Sequence, residues 1–164
     1  MIGIPVREIA ERWMGQAIRE AERAAEIEES PIGAVIVQGE RIVGRGHNRT
    51  RTLGDPTAHA EIIAISAAAE TLGDWRLEEC DLYVTIEPCV MCAGAIVLAR
   101  VRHVFFGARE PKFGGCVSLY EIPTDERLNH RALVTGGVRD EECAALMQEF
   151  FKKIRAKQGQ NGKS

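Results

Sequence analysis

Between residues 7 and 28, "REIAERWMGQAIREAERAAEIE", apolar side chains return every third or fourth position among charges, at Ile9, Trp13, Ala17, Ala21 and Ala24 or Ala25. That period predicts an amphipathic helix, and Pro5 suits the position just before its start. The period then drops to two. "GAVIVQGERIVGRG" holds two short β-branched runs that meet at Gln38-Gly39-Glu40, which predicts a hairpin whose glycine supplies the positive φ of a tight turn. "NRTRTLGDPT" is polar and turn-rich, and it ends in Asp55, Pro56 and Thr57, residues that suit a helix N-terminus.

The helix opening with "HAEIIAISAAAE" is predicted to reach about Leu72, with Gly73 ending it in the left-handed conformation. "CDLYVTI" reads as a buried strand, and Pro88 starts a further helix, "CVMCAGAIVLAR". "VRHVFFGA" has the near-continuous apolar run of a strand covered on both faces. A long loop from Arg109 to about Asn129, a short strand in "ALVTGG" and a helix in "DEECAALMQEFFKKIRAK", capped by Asp140, complete the chain. The order α-β-β-α-β-α-β-β-α suits an α/β sheet with helices on both faces.

Composition narrows this only a little. At 164 residues the chain suits one domain over residues 1–164, with no internal repeat or linker to divide it. No apolar run is long enough for a membrane span and no signal pattern opens the chain, so a cytoplasmic protein without a membrane partner is expected. Five cysteines, two of them in "CVMC", point in a reducing compartment to metal or redox chemistry ahead of a disulfide framework. The net charge of −3 taken alone argues against a nucleic-acid partner. Its distribution changes the picture. Residues 150–164 carry Lys152, Lys153, Arg155, Lys157 and Lys163 and no acid. The plain alternative is a solvated helix end whose cations complement the macrodipole.

Cys89 and Cys92 stand three apart, so they share one helix face and can meet one ion. Pro88 puts both in the first turn, where free backbone N–H groups favour the thiolate that binds metal. His59 would add a third ligand from the start of the neighbouring helix. Two sulfurs and one nitrogen leave a tetrahedral zinc with one open position, as in catalytic sites that hold water. Glu61 lies two residues from His59, and residues two apart reach one site only where a helix is just beginning. An unligated carboxylate there can act as general base and then acid. Three other readings stay open on these residues alone: a structural zinc completed by Cys80, Cys116 or His103, a redox "CVMC", and buried core residues.

"HAE" followed by "PCVMC" matches the known pattern of zinc nucleobase deaminases. The likeness extends from about Ile9 to Lys157. "PIGAVIV", "GHNRT", "DPTAHAEIIAI", "LYVTIEPCVMCAGAI", "VFFGAREPKFG", "LNHR" and "ECAALMQEFFKK" resemble the bacterial tRNA adenosine deaminases, TadA type. The resemblance implies a three-layer αβα cytidine-deaminase-like fold with a five-stranded mixed sheet, a homodimer, and one zinc ion per chain held by His59, Cys89 and Cys92. It implies Glu61 as proton shuttle, with attack of activated water on C6 of adenine and release of ammonia. The expected substrate is adenosine at the wobble position of a tRNA anticodon stem-loop, which becomes inosine. Asn48, Ala60, Glu110, Lys112, Phe150, Lys152 and Lys153 are the implied substrate contacts. Glu110 stands where the family carries aspartate, and "EPKFGGCV" is bulkier than the usual loop. Without the resemblance, Asn48 is a turn residue, Phe150 and Phe151 are packing residues, and His130 in "LNHR" orders a loop. Rival functions are a free-base or nucleoside deaminase and a zinc-stabilised RNA-binding module without turnover.

Overall fold

The computed structural model describes residues 6–162, so Pro5 and Lys163 lie outside the described residues. A helix α1 (Val6–Glu26) leads into the antiparallel hairpin β1 (Gly33–Gln38) and β2 (Arg41–His47). A short helix α2 (Thr50–Leu53) and a long one α3 (Ala60–Leu72) precede β3 (Cys80–Ile86). Then come α4 (Val90–Leu98), β4 (His103–Ala108), a 3-10 turn at Ile122–Thr124, β5 (Leu133–Thr135) and α5 (Asp140–Asn161). The strands form one mixed sheet in the order β2-β1-β3-β4-β5. β1 runs antiparallel to both of its neighbours, whereas β3, β4 and β5 are parallel.

Alternation along the strands feeds two apolar layers, because successive side chains point to opposite faces. Ile36, Leu82, Val84, Val104 and Phe106 join Ala60, Ala64 and Ala68 of α3 and Ala93 and Ile96 of α4. Val35, Val37, Tyr83 and Phe105 instead meet Trp13, Met14 and Ala17 of α1 and Cys143 of α5. The expected three-layer αβα arrangement is therefore present. The central strands are buried on both sides, as the apolar run of "VRHVFFGA" predicts.

Close approach of α3 to β2 depends on small residues. A Cβ at Gly46 would fall 2.2 Å from the Ala60 carbonyl oxygen, and one at Gly44 would fall 2.3 Å from that of Ala64. The helix thus lies directly on the strand, and its first turn is placed by backbone contact.

Four local expectations need correction. Ile9 is 37% exposed, because the buried stripe of α1 runs through Ala10 and Met14. Within the stretch expected to be turns, residues 50–53 form α2. Asp55 and Thr57 do not start α3: the Asp55 carboxylate accepts from the Thr57 amide and hydroxyl, both at 2.8 Å, and closes a turn that ends before the helix begins at Ala60. Asp140 is likewise the first residue of α5 and not its cap, a position held by Arg139 at φ 53°. Gly73 does end α3, at φ 67°.

Candidate active site

One edge of the sheet gathers the chemistry. The carboxyl ends of β2, β3 and β4 and the start of β1 all open there, and the first turns of α3 and α4 flank them. His59 is the N-cap of α3, extended at φ −80° and ψ 153°, and Cys89 is the N-cap of α4. The extended cap explains how His59 and Glu61 share a site: the helix twist that would separate them has not started at His59.

The sulfurs of Cys89 and Cys92 each lie 3.5 Å from His59 Nδ1, and the three donor atoms fall within 4.8 Å of one another. A tetrahedral ion with bonds of about 2.3 Å to sulfur and about 2.1 Å to nitrogen would hold the two elements about 3.6 Å apart. The donor set therefore fits a soft, four-coordinate cation. No fourth protein ligand joins the cluster among the described residues. Cys80 and Cys116 are instead buried in the core beneath α3 and α4, and His103 stacks on Phe105 and bonds Thr135.

Electrostatics support the same reading. Cys89 is pulled down to about 4, chiefly because Cys92 donates a hydrogen bond to it, with a further contribution from His59. Cys92 is pushed far up by that same bond and by burial. His59 is raised, mainly by its bond to Cys89. The three groups thus share protons at the spacing where a divalent cation could replace them. Glu61 is 4% exposed and its carboxyl is raised, chiefly by burial, which suits a group that must carry a proton near neutral pH.

A cavity of about 570 Å³ opens on this cluster, large enough for a nucleobase with its ribose. Asn48, His59, Ala60, Glu61, Cys89 and Glu110 line it. Ala60 is the first residue of α3, so its amide is one of the unpaired N–H groups at a helix start. Asn48 follows β2, and its amide nitrogen faces the buried Glu29 and Thr50 at 3.4 Å. Glu110 turns one carboxylate oxygen onto the Lys112 amide at 2.9 Å. Lys112 lies outside the cavity. So do Phe150, Lys152 and Lys153, which line grooves along α5. His130 orders a loop by bonding the Val101 carbonyl at 2.7 Å.

Sequence reading missed Glu87, Phe113 and Met147 in the cavity wall. For Glu87 a signal existed: an acid directly before Pro88 and Cys89, at the end of a buried strand, must find buried partners. Met147 comes from α5, far along the chain, and nothing local marks it.

A helix-flanked mixed sheet whose edge joins a His-Cys-Cys cluster to a buried, unligated acid is the architecture of a cytidine-deaminase-like enzyme. The family model described as MafB19-like deaminase matches residues 9–155. A tRNA-specific adenosine deaminase of Streptococcus pyogenes serotype M18 (strain MGAS8232) is 51% identical over 143 residues, which is 87% of this chain and 90% of that protein. A solved structure from studies of A-to-I editing by tRNA A34 deaminases at the wobble position of transfer RNA superposes with a TM-score of 0.79 at 45% identity, over 82% of this chain and 98% of that one. Guanine deaminase from Bacillus subtilis gives a TM-score of 0.60 at 40% identity, over 63% of this chain and 70% of that one. The chain belongs to the deaminase family, among the tRNA-specific adenosine deaminases.

Proposed function

We propose that this protein hydrolyses adenosine to inosine at the wobble position of a tRNA anticodon and releases ammonia, with one zinc ion held by His59, Cys89 and Cys92. The observation that carries this is the three-donor cluster beside a buried, unligated Glu61 in one nucleoside-sized cavity. Bound there, zinc would bring the pKa of a water down to about 7.

Glu61 takes a proton from the attacking water and delivers it to adenine N1 as C6 becomes tetrahedral. Glu61 then takes the second proton from the new C6 hydroxyl and passes it to the amino group, so that the C6–N bond breaks, ammonia leaves and the C6 carbonyl of inosine forms. Burial raises the Glu61 carboxyl and so favours the protonated form that each delivery needs. The free amide of Ala60 can donate to the purine, and Asn48 bounds the cavity wall where the sugar enters. A base in the anticodon loop is already unstacked in part, so turning it into this cavity costs less than extracting one from a duplex.

Lys152, Lys153, Arg155 and Lys157 on α5, with Lys112 on the loop after β4, are proposed to meet tRNA phosphates outside the cavity. A single deaminase domain and a cytoplasmic location are part of the same reading. The first is supported by the 9–155 match and the second by five free cysteines, as a reducing compartment keeps them. A homodimer is supported by apolar side chains that α4 and the loop beyond β4 leave exposed, Leu98 and Tyr120 among them.

Incubating the zinc-loaded protein with transcribed tRNA, free adenosine and guanine tests the function. Inosine at the wobble position of the tRNA is expected. Xanthine from guanine with no inosine in RNA would replace this reading by that of a free-base deaminase.

A further inference from the structure

Glu87 directly follows β3 and precedes Pro88 and Cys89, and it is 2% exposed. Among the described residues it pairs with no cation; main-chain donors fill it instead. Its Oε2 accepts from the amides of Cys116 at 3.2 Å, Val117 at 2.9 Å and Ser118 at 2.9 Å. Its Oε1 accepts from the Glu110 amide at 3.1 Å and from the Ser118 hydroxyl. All five donors belong to the loop that follows β4.

The loop also grips the metal-ligand turn itself. Gly115 donates its amide to the Pro88 carbonyl at 2.8 Å, and Gly114 forms a β-bridge with Cys89. A Cβ at Gly114 would fall 2.4 Å from Glu87 Oε2, so only glycine lets the loop lie this close. Inside the loop, the amide of Gly114 bonds the Glu110 carbonyl at 2.9 Å, which folds residues 110–114 into a tight turn.

Phe113 sits on that turn. It lines the cavity that holds His59 and Glu61, yet it is 63% exposed, with the exposed Arg109 and Lys112 close by in sequence. An isolated exposed phenylalanine is ordinary. One fixed at a nucleoside-sized cavity mouth, on a loop already ordered by five hydrogen bonds, offers a flat apolar face whose ordering entropy is lost before the substrate arrives. Nucleobases stack on such faces whatever their sequence.

We infer that Glu87 is a positioning residue that clasps residues 110–118 onto the metal-ligand turn, and that the loop so held presents Phe113 as a stacking platform for a nucleobase of the RNA substrate. The inference rests on the cavity being a nucleic-acid deaminase site.

Zinc-loaded enzyme and an anticodon stem-loop RNA test it. Phe113→Ala is expected to raise KM about 10-fold, with the loss on KM larger than that on kcat. Phe113→Tyr should restore most of it, and Phe113→Leu, which keeps apolar bulk without a π face, should not. Wild-type KM in the Leu variant overturns the platform. Glu87→Gln turns an amide NH₂ toward backbone donors, so hydrogen exchange at Val117 and Ser118 should quicken while zinc content stays at one per chain. Ser118→Ala, which removes one donor of the five, is the milder variant and should quicken exchange less. Adding Phe113→Ala to Glu87→Gln should raise KM no further, since an unclasped loop no longer presents the ring. Unchanged exchange overturns the clasp, and additive losses overturn the link between the two residues. A wild-type enzyme that makes no inosine in any RNA would overturn the proposed function and the platform with it, whereas the exchange measurement reads the clasp without substrate.

Discussion

The cavity and the basic end of α5 were both marked in the sequence as places of chemistry, and they are built in opposite ways. In the cavity, His59, Cys89 and Cys92 meet within 4.8 Å, with Cys92 and the neighbouring Glu61 buried and His59 and Cys89 half-buried. Along α5 the cations face solvent, spread over a groove with Ala145, Gln148 and Glu149. Burial makes the first region an all-or-nothing device, because removing one partner leaves charged groups without compensation. Exposure makes the second graded, since each cation acts on phosphates nearly alone.

The sharpest break in that comparison is loss of a ligand. Cys92→Ala removes one of three donors from a site with no protein substitute among the described residues, so bound zinc and ammonia release are both expected to fall to background, checked by metal analysis and by an ammonia assay. A chelator should do the same to the wild type. Retention of one zinc per chain by the variant would mean that the cluster is not the metal site.

Next in size is Glu61→Gln. The variant keeps the shape of the side chain but cannot carry the proton, so kcat is expected to drop by about 10² to 10⁴-fold while zinc content is retained. An RNA-binding module without turnover would show no change at all. Single-turnover rates on a tRNA stem-loop separate the two outcomes.

Gly46→Ala attacks the same site from a distance. The added Cβ would press on the Ala60 carbonyl, which lies between His59 and Glu61, so α3 must lift from β2. Overpacking of this kind costs about 1–3 kcal/mol, and thermal unfolding of the zinc-loaded variant should show it. Zinc affinity is expected to weaken together with stability, because the helix start carries one ligand. A stable variant with loose zinc, or the reverse, would show that α3 does not set the site by lying on β2.

What could be read from the chain divides along the same line. The hairpin follows from a period of two, β3 and β4 from apolar runs, α1 from a period of three to four, and the ligand cluster from short motifs at helix starts, where spacing decides which side chains share a face. Contacts set by the path of the chain could not be read. Met147 reaches the cavity from α5, and Glu87 takes partners some thirty residues ahead. Caps failed for a related reason: Asp55 and Asp140 are good capping types, but a local turn claimed the first, and an arginine in the left-handed conformation displaced the second by one residue. Asn48 and Glu110 line the cavity, whereas Phe150, Lys152 and Lys153 line grooves along α5 outside it, so any contact they make with RNA is made outside the cavity.

The smallest expected effects lie on that outer surface, and they differ among its cations. Lys157 sits 2.7 Å from the Glu28 carboxylate, which it holds below the ordinary carboxylate range, and Lys153 lies 3.6 Å from Glu149. No ion pair engages Lys152 or Arg155 among the described residues. A cation already matched by a carboxylate must exchange that partner for a phosphate, so it releases less counterion on binding than a free one. Lys152→Ala and Arg155→Ala are each expected to flatten the plot of log affinity against log salt by about 0.7 to 0.9. Lys157→Ala should flatten it by less, and Glu28→Gln, which frees Lys157, should steepen it. Fluorescence anisotropy of labelled tRNA across a salt series measures all four slopes. Equal slopes for Lys152 and Lys157 would show that the Glu28 pair gives way on binding, and slopes equal to wild type throughout would remove α5 from the RNA-binding surface.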